Sequence, residues 1–209
     1  MENIIKTFIY IHAFFGGIGL LFGFLSVLFV KGSVNHKKAG TVFSYAMIIS
    51  SLISLPICLL PKHENNFLFL IGIFTIYLVV SGNRVLIYKK KKEVAMTDKI
   101  VSGVMFIASV LMLVFGIINL LKNNLGGILF LFFGLIAFMF SIRDYRFYTN
   151  LDKSKILKFH IGKMSGTYIA SITAFLVAGI HLQGILYWIL PTVIGTFFII
   201  YWTKKTTKQ

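Results

Sequence analysis

The sequence predicts an all-α fold: a polytopic membrane bundle of seven transmembrane helices, N-terminus outside and C-terminus cytoplasmic. Three observations predict it. Hydrophobic residues make up 57% of the chain and mean hydropathy is +0.87, well above the apolar share of a soluble domain. The apolar residues fall in seven runs of roughly 20, the length that crosses a ~30 Å hydrocarbon core. The basic residues alternate between the two sides of these runs. Of 21 Lys and Arg, all but Lys6, Lys62 and Lys122 lie in or beside the first, third and fifth loops and the tail. Such an excess marks the cytoplasmic side, and termini on opposite sides require an odd number of spans. Charge and span count therefore agree independently.

In order, span one covers about 4–30, followed by KGSVNHKKAG. Span two covers about 41–60, followed by PKHENN. Span three is about 67–88, with KKKKEVAMTDK after it. Span four (about 100–121) and span five (about 125–142) are separated only by Lys122, Asn123 and Asn124. Two spans fit that stretch better than one, since each needs ~20 residues. RDYRFYTNLDKSK precedes span six, about 156–181. Span seven is about 185–202, and TKKTTKQ closes the chain. All 209 residues are thus expected to form a single transmembrane domain. Tyr10, Tyr187, Trp188, Tyr201 and Trp202 fall near span ends, as interfacial aromatics do. Pro56 and Pro191 are expected to kink spans two and seven, with neighbouring groups satisfying the freed carbonyls.

The net charge of +15 would suggest nucleic acid in a soluble chain. Here it sits in short loops and reads as topology, so nucleic acid is set aside. The partner implied is the lipid bilayer, and the compartment is the cell inner (cytoplasmic) membrane. Assembly into a homo-oligomer stays open. Cys58 is the sole cysteine, which excludes an intrachain disulfide and any cysteine-based zinc or iron–sulfur site. The first run lacks an A-x-A-like cleavage site and is expected to stay as a span.

Two helical faces carry candidate functional residues. In span one, His12, Gly16, Gly19, Gly23 and Ser26 follow one another at steps of four and three. They form a stripe suited to close helix packing, with His12 turned inward. In span six, the same steps from His160 reach Met164, Thr167, Ser171, Ala174, Ala178 and His181. That face would place a histidine at each membrane surface, about 31 Å apart at ~1.5 Å per residue. Ile169, Ile172, Phe175 and Leu176 fall on the other faces.

His36, Arg84, Asp144 and His160 should lie at similar depth near the basic side. Two imidazoles, a carboxylate and a guanidinium make a candidate polar site there, with Lys163, Thr167 and Ser171 beside it. The plain alternative pairs Arg84 with Asp144 and leaves the histidines in loops. Functionally, His36, His160 and Asp144 could hold a divalent metal, although no local spacing supports it. Alternatively, His36 with His160, or His12 with His181, could ligate a b-type haem. Two haems at opposite surfaces would leave a long apolar gap, so one site is the more economical reading. A third reading is transport or proton relay, with His12, Asn119, Thr167, Tyr168, Ser171 and His181 lining a track. No Asp or Glu is expected mid-span to support that track. A ligand-free structural or assembly factor is the fourth reading, and no enzymatic reaction is assigned.

Span seven has no lysine for a retinal Schiff base and no HxxxH pair, which sets aside two common seven-span classes. IHAFFGGIGLLFG, KGSVNHKKAG, YLVVSGNRVL, RDYRFY, HIGKMSGTYIASITAFLV and LPTVIGT, in that order, resemble a bacterial family of multi-pass membrane proteins known only as a domain of unknown function. The resemblance covers nearly the whole chain. It implies pattern positions at His12, His36, Gly40, Arg84, Asp144, His160, Met164, Ala170, Pro191 and Gly195. His63 and His181 fall outside it. The family brings no reaction or ligand.

Overall fold

The computed structural model describes residues 2–206. Among them are seven long helices and no strand: α1 (Glu2–Leu28), α2 (Val34–Ile57), α3 (Asn66–Arg84), α4 (Met96–Leu121), α5 (Gly127–Asn150), α6 (Ile156–Ala174) and α7 (Ile185–Thr206). A 3-10 turn, Val85–Lys89, extends α3, and a π-helical turn, Phe175–Gly179, extends α6. All seven are long and apolar enough to cross a membrane, so the chain is a multi-pass membrane protein.

Local chemistry sets the helix ends. Ser33 caps α2 by accepting from the His36 amide at 3.2 Å, after a turn in which Gly32 takes φ +81°, a conformation open to residues without Cβ. Asn65 caps α3 by accepting from the Leu68 amide at 2.9 Å, as short polar side chains do. Leu151, in the left-handed region, closes α5. Next to it, hydrogen bonds from Lys155 and Ser154 hold the Asp152 carboxyl at about 2. Lys31 donates to the Ser26 and Val27 carbonyls at the end of α1 and lies over the Trp202 ring. Partial burial lowers its ammonium from the usual lysine range.

Two antiparallel pairs, α1–α2 and α4–α5, flank a central α3–α6 pair, and α7 packs outside α6. α3 is the most buried span, with 56% of its apolar window inside the protein, whereas none of α7's is. Without a hydrophobic driving force in lipid, close helix approach supplies much of the association energy. At Gly19 an added Cβ would lie 2.6 Å from Met47 Sδ, and at Gly23 it would lie 2.4 Å from the Tyr168 ring. Gly16 faces Ser50. The span-one stripe is thus where α1 meets α2 and α6. Across the centre, Phe67, Leu70, Phe74, Tyr77, Met105, Met112 and Phe133 form the main apolar core.

Several expectations are corrected. α2 begins at Val34, so His36 is a helical residue of its first turn and not a loop residue. α5 runs to Asn150, eight positions past its expected end, and carries Asp144 inside the helix. The reason is that Arg143, Arg146 and Asn150 are exposed on one side while Asp144, Phe147 and Tyr148 are buried on the other; the helix turns amphipathic instead of stopping. Pro56 sits inside the last turn of α2. The continuous α6 face does not reach His181: the π-helical turn breaks its register, and His181 is exposed with φ +62°. Ile169 does lie on another face, buried against Gly195 of α7, where a Cβ would come within 2.2 Å of Ile169 Cδ1.

A candidate charged site in the membrane-embedded core

Four helices meet at one buried ion pair. Lys163 of α6 donates to both oxygens of Asp144 of α5, at 2.6 and 2.7 Å, and both side chains are 0% exposed. Tyr77 of α3 donates its hydroxyl to Asp144 Oδ2 at 2.6 Å, and Ser102 of α4 donates to the same oxygen at 3.0 Å. The ammonium also lies over the faces of Tyr77 and Phe159, 5.2 and 5.6 Å from their centres. An isolated charge here would cost several kcal/mol of desolvation. The carboxylate instead has three donors, and the ammonium has a bidentate acceptor and two aromatic faces. Gly82 of α3 allows this approach, since a Cβ there would lie 2.9 Å from Lys163 Cβ.

A second pair lies nearer the basic end. Arg84 donates Nε to Asp98 Oδ1 at 2.5 Å and an NH2 group to Oδ2 at 3.0 Å. The Tyr88 hydroxyl also donates to Asp98 and accepts from the Ala95 amide. Asp98 is 1% exposed but Arg84 is 36%, so water screens this pair more than the sealed one. The expected pairing of Arg84 with Asp144 is therefore corrected: each has another partner. Both aspartates are fully buried in helices, Asp98 in the first turn of α4 and Asp144 in the C-terminal third of α5.

The histidines are placed otherwise. His12 Nδ1 lies 2.9 Å from the Ser50 carbonyl, His36 Nδ1 2.9 Å from that of Ser26, and His160 Nδ1 2.7 Å from that of Gly82. A carbonyl oxygen only accepts, so each Nδ1 carries a proton, and in the neutral ring Nε2 is then the nitrogen with the lone pair. No buried side-chain nitrogen or oxygen among the described residues lacks a partner. Ser50 donates back to the His12 carbonyl at 3.0 Å, clipping α1 to α2. The Thr167 and Ser171 hydroxyls donate to carbonyls of their own helix, and Asn119 does the same at the far end of α4. Each of these groups is satisfied within its own helix. His63 and His181 are exposed.

The expected metal set of His36, His160 and Asp144 is not assembled, because Asp144 is enclosed by Lys163, Tyr77 and Ser102. Among the described residues no three His, Cys, Asp or Glu gather as a metal set would. Sequence reasoning named Lys163 without a role and missed Tyr77, Ser102, Asp98 and Tyr88. One signal was present: Lys163 is the only charged residue between His160 and His181, and intramembrane charges need a partner.

On its outer side Ser102 lines a groove of about 770 Å³ between α4 and α5. The buried pair is thus one hydroxyl away from an open surface. No protein-family model matches the chain, and no curated protein or solved structure does either.

Proposed function

We propose that the chain is a proton-relay or proton-coupled transport protein of a bacterial cytoplasmic membrane, from the uncharacterised family its motifs resemble, with its basic loops on the cytoplasmic side. The Asp144–Lys163 pair is the relay. The observation that carries the reading is a fully buried ion pair whose second neighbour, Ser102, opens onto a groove. Ionisable groups inside a span are costly and mark ion paths by default. A proton moving from Lys163 Nζ to the Asp144 carboxylate converts the ion pair to a neutral amine and acid at no change in net charge. Distances of 2.6 and 2.7 Å lie within direct transfer range. Tyr77 and Ser102 stay hydrogen-bonded to either form of the acid.

The test is a proteoliposome assay with a trapped pH-sensitive dye and an imposed potassium diffusion potential. The wild-type protein is expected to change internal pH faster than protein-free vesicles, and Asp144→Asn to fall to the protein-free rate. A wild-type rate equal to that of empty vesicles ends the proposal.

One observation favours a second reading, a haem or metal site at His36 and His160. Metal-binding imidazoles characteristically donate Nδ1–H to a carbonyl and ligate through Nε2, and both rings have that arrangement. The two imidazoles would be the protein's ligands, without Asp144. Protein purified from haem-replete cells would then show a Soret band that both His36→Ala and His160→Ala remove. For a metal, elemental analysis would show one bound ion, lost in both variants. Colourless, metal-free wild-type protein overturns this reading and leaves the relay untouched.

A further inference from the structure

The groove beside Ser102 has a gradient along the membrane normal. Lys99, Thr149, Tyr145 and Tyr148 line its basic end, Ser102 and Gly103 come next, and Ile142, Phe106 and Ser141, whose hydroxyl donates to the Phe138 carbonyl, lie deeper. From Lys99 to Phe106 this spans about 10 Å at ~1.5 Å per residue. The groove opens outward: Lys99, Gly103 and Thr149 are exposed, and Tyr145 is 72% exposed.

Its shape follows from the glycines of the two helices. At the far end of the pair, Gly116, Gly127 and Gly134 bring α4 and α5 so close that any Cβ would press on the opposite helix. At Gly103 a Cβ would meet nothing within 4 Å. The glycines hold the two helices tight at the far end, and the groove lies at the other end, with the hydroxyls and the lysine.

A cationic and hydroxylated mouth above an apolar floor matches one molecule available at that depth. We infer that the groove holds an anionic glycerophospholipid from the leaflet on the basic side. Its phosphate lies by Lys99 and the exposed Tyr145 hydroxyl, and one acyl chain runs past Gly103 and Phe106. Lys99 supplies charge complementarity, and tyrosines at a membrane surface sit at headgroup level. The groove is shared with the relay, but lipid binding requires no proton movement, so either proposal can fail alone.

The test is native mass spectrometry of the full chain taken from vesicles of equal phosphatidylglycerol and phosphatidylcholine. The wild type is expected to retain one phosphatidylglycerol in preference to phosphatidylcholine. Lys99→Ala should reduce that retention about fivefold, the worth of one lysine near an anionic surface. Gly103→Leu should abolish it by filling the groove, and the melting temperature shows whether that variant is folded. Equal retention of the two lipids, or retention unaffected by Lys99→Ala, overturns the inference. So does retention unaffected by a folded Gly103→Leu. Retention of inorganic phosphate in place of lipid also overturns it.

Discussion

Lys163→Met is expected to lose about 3–5 kcal/mol of stability, the cost of leaving one charge of a buried pair without its partner. Asp144→Leu should cost a similar amount for the mirror-image reason. The double variant Lys163→Met/Asp144→Leu should lose clearly less than the two single losses added together, because no unpaired charge remains. Apolar replacement of an entire buried pair is often neutral or better. Recovery stops short of wild type because the Tyr77 and Ser102 hydroxyls lose their shared acceptor, at about 1–3 kcal/mol for each group left unsatisfied. Unfolding of each variant in mild detergent, followed by denaturant titration, gives the coupling energy. A result in which the three variants add independently would mean that Lys163 and Asp144 do not pair in the membrane. The double variant also separates structure from function: it should be folded, and its proton flux should be absent. A folded double variant that still moves protons would show that the pair is structural glue alone.

How far the sequence reaches can be seen at Asp144 and Lys163. Seven apolar runs and the alternation of Lys and Arg are properties of composition along the chain, and the seven helices follow them to within a few residues at most ends. The depth of Asp144 was hidden because the apolar run breaks at Arg143, and a charge usually ends a span. Here the helix continues with one charged side outward and Asp144, Phe147 and Tyr148 inward. Asp98 was hidden in the same way, as the last acid of a basic loop that is in fact the first turn of α4. Which carboxylate takes which cation depends on how α3, α4, α5 and α6 are arranged around one another, and no spacing within a single run encodes that. The histidines show the converse limit. His12 is legible as an inward residue and His36 and His160 as candidates near the basic side, but their partners are backbone carbonyls of Ser50, Ser26 and Gly82. A carbonyl carries no residue signature.

The same substitution at two glycines of the α4–α5 pair should have opposite effects. At Gly127 an added Cβ would lie 2.6 Å from the Gly116 carbonyl oxygen and 3.0 Å from the Leu120 amide nitrogen. Both are backbone atoms, so relief requires one helix to move, and α4 is already held by Ser102 and Asp98 at its other end. Gly127→Ala is therefore expected to cost about 1–3 kcal/mol, the usual price of overpacking. At Gly103 the new methyl group meets open space, and replacing a mid-helix glycine removes its entropic penalty. Gly103→Ala should gain about 0.5–1 kcal/mol. Denaturant titration of the two variants side by side reads the difference directly. Loss of stability at Gly103 comparable to that at Gly127 would mean that α4 and α5 are equally close along their length, and the groove beside Ser102 would then be closed.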